Sequence, residues 1–412
     1  MNKAVSLVAR PMVLVILLAL CQACPPALAQ EPIKIGFIYV MSGRLAHYGF
    51  GAKQGAELAM DEINRAGGVN GRKLVGIYED TQLKPDVGVQ VARKLVTQDK
   101  VDVVMGIVSS GVASAVAPVM NELKTPLIIT LAMTPDVTGK ICNPYTFRVS
   151  QNGPQNIKGA AVLASQTDAL KWSTLGPDYL FGYQCWEYFQ RYLKELQPAA
   201  AFMDETKIAY ASTETEDFRP YIKKVIDAVP DGLLVSLYGG NLIDFVRQGT
   251  EMQLFQKIPV VILNLAYSAD VMLGLGIDLP EGIWMGGLYW FRGNSSPANR
   301  SFVEAYTQRY RVFPDFNASG AYSGVKAYAA AASAARSVEK ETIIKILPGM
   351  VLDLPMGRTV IRKEDHQAVF DSVWGVSSRF DGKSRMRDLR PLMIFRGDQV
   401  TPLPAATGCS MP

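Results

Sequence analysis

Two short loops carry residue types and spacing that suit the binding of an anion. Ser109-Ser110-Gly111 directly follows the apolar run Val101 to Ile107, which is typical of a strand covered on both faces. Ala132-Met133-Thr134 follows a second such run, Pro126 to Thr130. A helix that begins at such a loop presents unpaired N–H groups and a positive dipole end, which favour an anion. The alternative is that Ser110 and Thr134 only cap helices.

Residues that would support catalysis are few. The chain has two histidines, His47 and His366, and neither belongs to a recognisable nucleophile–base set. The segment Gly106 to Gly111 lacks the spacing of a G-x-S-x-G elbow. His, Cys and carboxylate residues do not cluster at metal-ligand spacing, and Gly274-Leu275-Gly276 lacks the third glycine of a dinucleotide loop. We therefore expect neither an enzyme nor a cofactor, with His366 structural and His47 near the mouth of a cleft.

The elements that position the two loops alternate between strand and helix. We expect strands at Ile33 to Ile38, Lys73 to Glu79, Val101 to Ile107 and Pro126 to Thr130, and helices at Gly51 to Arg65, Pro85 to Gln98 and after Ser110. This order implies a parallel, doubly wound sheet. In such a sheet ligands bind beyond the carboxyl ends of the strands, which is where both loops lie.

The alternation restarts after Tyr145 and predicts a second α/β lobe. The expected strands are Trp172 to Leu175, Lys207 to Ala211, Leu233 to Tyr238, Val260 to Leu263 and Gly282 to Gly287. The expected helices are Gln155 to Gln166, Phe181 to Leu196, Asp217 to Ala228, Pro297 to Tyr310 and Ser319 to Ser337. Two lobes also suit the length, because roughly 380 residues exceed what one hydrophobic core usually serves.

The charge balance argues against nucleic acid as a partner. The chain has 42 basic and 38 acidic residues, a net charge of +4, and no block of Lys or Arg stands out. Its 49% hydrophobic content is that of an ordinary globular protein.

The first residues have the layout of a cleavable signal peptide. Lys3 and Arg10 precede the apolar run Met12 to Leu20, and Ala27-Leu28-Ala29 provides an A-x-A site before Gln30. We therefore expect residues 1–29 to be removed and the mature protein to be soluble in the periplasm. Lipid attachment at Cys24 is the less favoured alternative.

Three cysteines follow the expected cleavage site, namely Cys142, Cys185 and Cys409. In an oxidising compartment one pair could form a disulfide, which would leave one thiol over. The spacing does not decide which two residues pair.

Several short segments occur in a specific order over nearly the whole mature chain. They are Met41-Ser42-Gly43, Tyr48-Gly49, Asp61 to Asn64, Gly67 to Gly71, Gly106 to Ser110, Ile129 to Pro135, Phe147-Arg148, Gly176 to Tyr179, Asp217-Phe218 and Asp365 to Gln367. In this order they resemble the type I periplasmic solute-binding proteins of ABC transporters, in the Leu/Ile/Val-binding family. The resemblance implies an α/β fold of two doubly wound, Rossmann-like lobes joined by three crossing segments. It implies residues 31–148 plus 288–360 for lobe 1 and residues 149–287 plus 361–412 for lobe 2, whereas the alternation alone would predict two consecutive lobes.

The resemblance also implies a ligand site between the lobes. In the family the two anion-binding loops hold a carboxylate, here through Ser110, Ala132 and Thr134, with Ser109 beside them. Aromatic walls are implied at Tyr48, Phe181, Tyr238 and Tyr322, although an aromatic residue on a helix more often belongs to the core.

One departure from the family bears on the ligand. Amino-acid binders place an acidic side chain after the strand that corresponds to Val260 to Leu263, where it holds the ammonium group. This chain has Asn264 there and no acid until Asp270. An unpaired buried ammonium is costly, so an aromatic or aliphatic carboxylate suits these residues better than an α-amino acid.

We therefore expect a monomeric, extracytoplasmic receptor that captures a small carboxylate-bearing solute by hinge closure. Its expected partners are the solute and an ABC permease at the membrane. The alternatives are a sensory ligand-binding protein and a receptor for amide- or urea-type solutes.

Overall fold

The first lobe is built on a five-stranded parallel sheet. The computed structural model of the protein describes Met1 and residues 31–411. The sheet has the order β2-β1-β3-β4-β5 and consists of β1 (Ile33–Tyr39), β2 (Leu74–Asp80), β3 (Val103–Gly106), β4 (Leu127–Ile129) and β5 (Thr146–Arg148). The order is that of a doubly wound sheet, and β3 and β4 are fully buried, as their continuous apolar runs predict.

The second lobe contains a larger, mixed sheet. Its parallel part consists of β6 (Lys171–Pro177), β7 (Ala201–Phe202), β8 (Ala209–Ala211), β9 (Gly232–Val235), β10 (Val260–Leu263) and β11 (Trp284–Gly286). A small antiparallel sheet follows in the chain and consists of β12 (Val351–Leu354), β13 (Gly357–Ile361) and β14 (Ala368–Val369). The hairpin of β15 (Ser372–Asp381) and β16 (Met386–Phe395) then joins the large sheet antiparallel to β11. The sequence analysis did not predict this hairpin.

Helices cover the two large sheets. They are α1 (Ala46–Arg65), α2 (Pro85–Thr97), α3 (Ser110–Glu122), α4 (Gly153–Ala164), α5 (Leu180–Leu196), α6 (Arg219–Asp227), α7 (Gly239–Glu251), α8 (Leu254–Lys257), α9 (Ala269–Leu275), α10 (Pro297–Tyr310), α11 (Phe316–Ala335), α12 (Lys340–Ile346) and α13 (Gly397–Val400). Helix α11 packs closely on α1, although about 250 residues separate them. A Cβ on Gly55 would lie 2.0 Å from the Ala318 carbonyl oxygen, so this close approach needs glycine.

The chain passes between the lobes at three places, and two of these crossings run side by side. Arg148 of the first crossing pairs with Gln367 of the third, and the Arg148 N–H donates to the His366 carbonyl at 3.0 Å. The His366 ring stacks on Phe147 with centroids 4.1 Å apart. Burial lowers the pKa of His366, which favours the neutral imidazole in this stack. His366 thus packs within one of the segments that join the lobes.

A disulfide returns the C-terminus to the first lobe. Cys142 and Cys409 are bonded across a sequence separation of 267 residues, and Cys185 is a free, buried thiol. Beside the bond, a Cβ on Gly139 would lie 2.6 Å from the Thr407 carbonyl oxygen. The C-terminal residues are therefore held tightly against the loop that contains Cys142.

The expected signal peptide, residues 1–29, lies outside the described residues. Among the residues that are described, no helix has the length and apolar character to span a membrane.

Candidate ligand-binding site

Several helices of both lobes begin at one cleft. Each helix that follows a parallel strand starts at the carboxyl end of that strand, so the starts of α3, α5 and α7 face the gap between the two sheets. Ser110 at the start of α3, Phe181 in the first turn of α5 and Tyr238, the N-cap of α7, line the same cavity. Phe316 at the start of α11 lines it too. The unoccupied space among these residues, together with the open solvent that it adjoins, is about 340 Å³. The arrangement directs several positive dipole ends toward one space.

Aromatic rings form much of the cavity wall. The Tyr48 ring of lobe 1 lies 5.7 Å from that of Tyr238 and 5.4 Å from that of Phe316, measured between centroids. Phe181 lies edge-on to Tyr238 at 5.9 Å, and the hydroxyls of Tyr179 and Tyr238 are hydrogen-bonded at 3.0 Å. The remaining lining residues are aliphatic or thioether side chains, namely Val108, Leu131, Met133, Leu265 and Leu288. The cavity therefore suits an apolar group with a few polar contacts.

Two polar side chains in the wall have hydrogen-bonding capacity to spare. Tyr48 is 1% exposed, and its hydroxyl has no hydrogen-bond partner within residues 31–411. Burial, followed by the negative charge of Asp270, raises the pKa of Tyr48, so the hydroxyl keeps its proton. The Ser110 hydroxyl accepts from the Thr134 N–H at 3.2 Å, which leaves the Ser110 proton free to be donated.

Four of the residues predicted for the site line this cavity, namely Tyr48, Ser110, Phe181 and Tyr238. Ser109 lies next to it, in a groove at the outer end of the cleft that we call the mouth groove. The mouth groove is lined by Leu83, Pro85, Ser109, Gly111, Asp178, Tyr179, Leu180, Ser212, Thr213 and Tyr238.

The groups of the Ala132 loop that were expected to bind the ligand already form hydrogen bonds within the protein. The Ala132 N–H donates to the Ile107 carbonyl at 2.9 Å, and the Thr134 N–H donates to Ser110. The Thr134 hydroxyl accepts from the Asp136 N–H at 3.3 Å and so caps the short 3-10 helix that follows. Thr134 therefore caps a helix, and Met133 lines the cavity in place of its two neighbours.

Asn264 and Tyr322 do not line the cavity. Asn264 is fully buried, and its amide nitrogen lies 3.8 Å from the Cys185 sulfur. The next residue, Leu265, lines the cavity instead. Tyr322 donates to Glu62 at 2.6 Å within lobe 1, so its expected role as a pocket wall is replaced by packing between α11 and α1. The sequence analysis missed Phe316 because it began this helix three residues too late.

Two carboxylates from opposite lobes approach Tyr48. Asp315 caps α11 by accepting from the Ala318 N–H at 2.8 Å, and burial together with the charge of Asp270 raises the pKa of Asp315 to about 6. One Asp270 oxygen lies 3.8 Å from the His47 Nε2. An acidic side chain therefore does reach this end of the cleft, although it comes from Asp270 and not from position 264.

Direct contacts hold the lobes together on both sides of the cleft. On one side Arg44 of lobe 1 pairs with Asp244 and, at 3.1 Å, with Glu216 of lobe 2. On the other side the Gln184 amide donates to Asp136 at 3.2 Å. The structure is therefore that of a closed cleft.

Comparison with known proteins places this architecture in a family. The family model described as periplasmic binding protein matches residues 32–381. The chain is 26% identical over 344 residues to the Leu/Ile/Val-binding protein homolog 8 of Brucella abortus (strain 2308), covering 80% of this chain and 83% of that protein.

Solved structures show the same fold. An amino acid ABC transporter substrate-binding protein from Pseudomonas fluorescens Pf-5 has a TM-score of 0.81 at 26% identity, covering 93% of this chain and 100% of that one. A solute binding protein of an ABC transporter from Rhodopseudomonas palustris BisB5, in complex with 3,4-dihydroxybenzoic acid, has a TM-score of 0.80 at 24% identity, covering 89% and 98%. The chain belongs to the periplasmic binding protein family, whose members are solute-binding receptors and not enzymes.

Proposed function

We propose that this protein captures a small solute with a carboxylate and an apolar body outside the cytoplasm and delivers it to an ABC permease. The observation that carries the proposal is the start of α3 in the cleft wall. The first N–H groups of a helix have no partner within it, and here they adjoin the free proton of Ser110.

The apolar body would lie among Tyr48, Phe181, Tyr238 and Phe316. Aromatic or branched aliphatic groups suit these walls, because both bury apolar area against flat rings. The names of the relatives support a branched-chain amino acid as one possible ligand.

The available interactions are sufficient for useful affinity. Micromolar binding requires roughly 8 kcal/mol. Two or three charge-assisted hydrogen bonds to the carboxylate contribute about 1.5–3 kcal/mol each, and burial of the apolar body contributes the rest.

Closure explains how the membrane partner would detect the loaded receptor. A ligand favours the closed form only as far as it contacts both lobes, and the cavity wall contains Tyr48 from one lobe and Tyr238 from the other. The permease would then bind the closed surface.

The test is a calorimetric comparison of acids with their uncharged amides, using branched-chain amino acids, benzoates, cinnamates and short fatty acids. We expect an acid to bind and its amide to bind at least tenfold more weakly. Ser110→Ala should weaken binding of the acid by about tenfold and change binding of the amide little, because only the acid makes a charge-assisted hydrogen bond. Equal affinities for acid and amide would contradict the carboxylate assignment.

A further inference from the structure

The cleft contains a second, larger space beside the aromatic cavity. The mouth groove holds about 800 Å³ of unoccupied space, against about 340 Å³ in the aromatic cavity, which we call the inner cavity; both figures include open solvent. Tyr179 and Tyr238 line both spaces, and the hydrogen bond between their hydroxyls lies between them. The two spaces therefore adjoin across a pair of side chains that can exchange this bond for one to a ligand.

The start of α3 lies at the border of the two spaces. Ser110 lines the inner cavity, whereas Ser109 and Gly111 on either side of it line the mouth groove. A carboxylate held at this helix start would have the inner cavity on one side and the groove on the other. A substituent next to the carboxylate would then extend into the groove.

The groove is more polar than the inner cavity. It is lined by the hydroxyl-bearing residues Ser109, Ser212 and Thr213, and the single charged residue in its wall, within the described part of the chain, is Asp178. Hydroxyls and a carboxylate accept hydrogen bonds from N–H and O–H groups, and the negative charge disfavours an anion.

We infer that the mouth groove is a second subsite of the ligand cleft, and that it takes a neutral or cationic, hydrogen-bond-donating substituent attached next to the carboxylate. This inference rests on the proposed function. It narrows the solute class from simple acids and amino acids to acids with an N-linked amide extension, such as a short peptide with an apolar C-terminal residue.

Two series of compounds test the inference by calorimetry on the purified protein, and the apolar body stays the same within each series. The first probes are 4-methylpentanoate, leucine, glycyl-leucine and succinyl-leucine, and the second are 3-phenylpropanoate, phenylalanine and glycyl-phenylalanine. In the series whose body fits, we expect the glycyl compound to bind about tenfold more tightly than the parent acid, as two added neutral hydrogen bonds would give. Succinyl-leucine, with its anionic extension, should bind more weakly than glycyl-leucine.

Gly111 offers a way to fill the groove. A Cβ there would meet only Pro85 and Ser109 side-chain atoms, at 3.8 Å, so a larger residue has room in the groove. Gly111→Leu should lower the ratio of glycyl-compound affinity to parent-acid affinity from about ten to about one, and this ratio cancels any change in the carboxylate contact that both compounds share. Gly382→Leu is the matched control, because a Cβ on Gly382 meets nothing within 4 Å and Gly382 lies in the turn between β15 and β16, away from the groove. It should change neither affinity.

Two results would overturn the inference. One is a parent acid that binds as tightly as its glycyl compound, and the other is a glycyl advantage that survives Gly111→Leu. In both cases the parent acid still binds, so the proposed function stands; failure of every acid to bind would instead count against the proposed function.

Discussion

Gly239 at the start of helix α7 in the second lobe contacts the Tyr48 hydroxyl of the first lobe. A Cβ on Gly239 would lie 2.7 Å from the Tyr48 oxygen and 3.2 Å from the His47 Nε2. Gly239 also has a φ of +53°, a conformation that glycine adopts without strain. The closed cleft thus depends on the absence of a side chain at this position.

Gly239→Ala should therefore hinder closure. Overpacking of this kind costs about 1–3 kcal/mol, which corresponds to a loss of ligand affinity of roughly five- to 150-fold. Calorimetry with the acid that binds the parent protein most tightly measures this loss of affinity. Gly240→Ala is the matched control, since a Cβ there meets the Arg44 side chain only at 3.7 Å, and it should retain the affinity. Equal affinity in both variants would show that closure tolerates a side chain at residue 239.

Arg44 should contribute modestly to closure. It joins the lobes through Asp244 and the exposed Glu216, and solvent-exposed ion pairs contribute about 0.2–1 kcal/mol. Arg44→Met should weaken ligand binding by about two- to fivefold at low salt and less at high salt. The control is Arg93→Met, because Arg93 pairs with Glu122 inside lobe 1. A loss that does not depend on salt would contradict an electrostatic contribution.

The Cys142–Cys409 bond should stabilise the whole protein. It joins residues 267 positions apart and so restricts the unfolded chain strongly. Replacing both residues with serine should lower the free energy of unfolding by about 2–4 kcal/mol, as measured by urea denaturation. Reductant should lower the stability of the parent protein and leave the double variant unchanged; an equal response of both proteins would be inconsistent with this bond.

Asp315 should make stability depend on pH. Its folded-state pKa of about 6 lies above the usual 3.8, so the folded protein binds this proton more tightly and loses unfolding free energy as the pH rises from about 4 to 6. Asp315→Asn removes this loss while its amide oxygen can still accept from Ala318. The variant should equal the parent at pH 4 and exceed it by on the order of 1–2 kcal/mol at pH 7, allowing for partial solvent access.

Urea denaturation at several pH values tests this difference. Asp353→Asn, which alters an exposed carboxyl of the same lobe, should stay within about 0.5 kcal/mol of the parent throughout. A stability difference for Asp315→Asn that does not change with pH would contradict the raised pKa.

The local sequence pattern predicted the helices and strands whose apolar residues recur at regular spacing. Strand Val260–Leu263 and helix Pro297–Tyr310 have the predicted bounds, because a buried strand and a capped amphipathic helix each have a local signature. The hairpin of β15 and β16 was missed, since many of its residues are only partly buried and the pattern of alternation is weak. Its place in the sheet depends on pairing with β11, far away in the sequence.

The sequence by itself determined most of the alternating elements, the family, and the position of Ser110 and Phe181 at strand-to-helix junctions, because these follow from periodicity and short motifs. Only the tertiary structure decided that Thr134 caps a helix, that Tyr322 packs on lobe 1, that Asp270 approaches Tyr48, and which cysteines are bonded. The physical reason is that an N–H or hydroxyl group can bond either to a neighbour in the sequence or to a residue far away in the sequence. Only the packing of the lobes selects between these two partners.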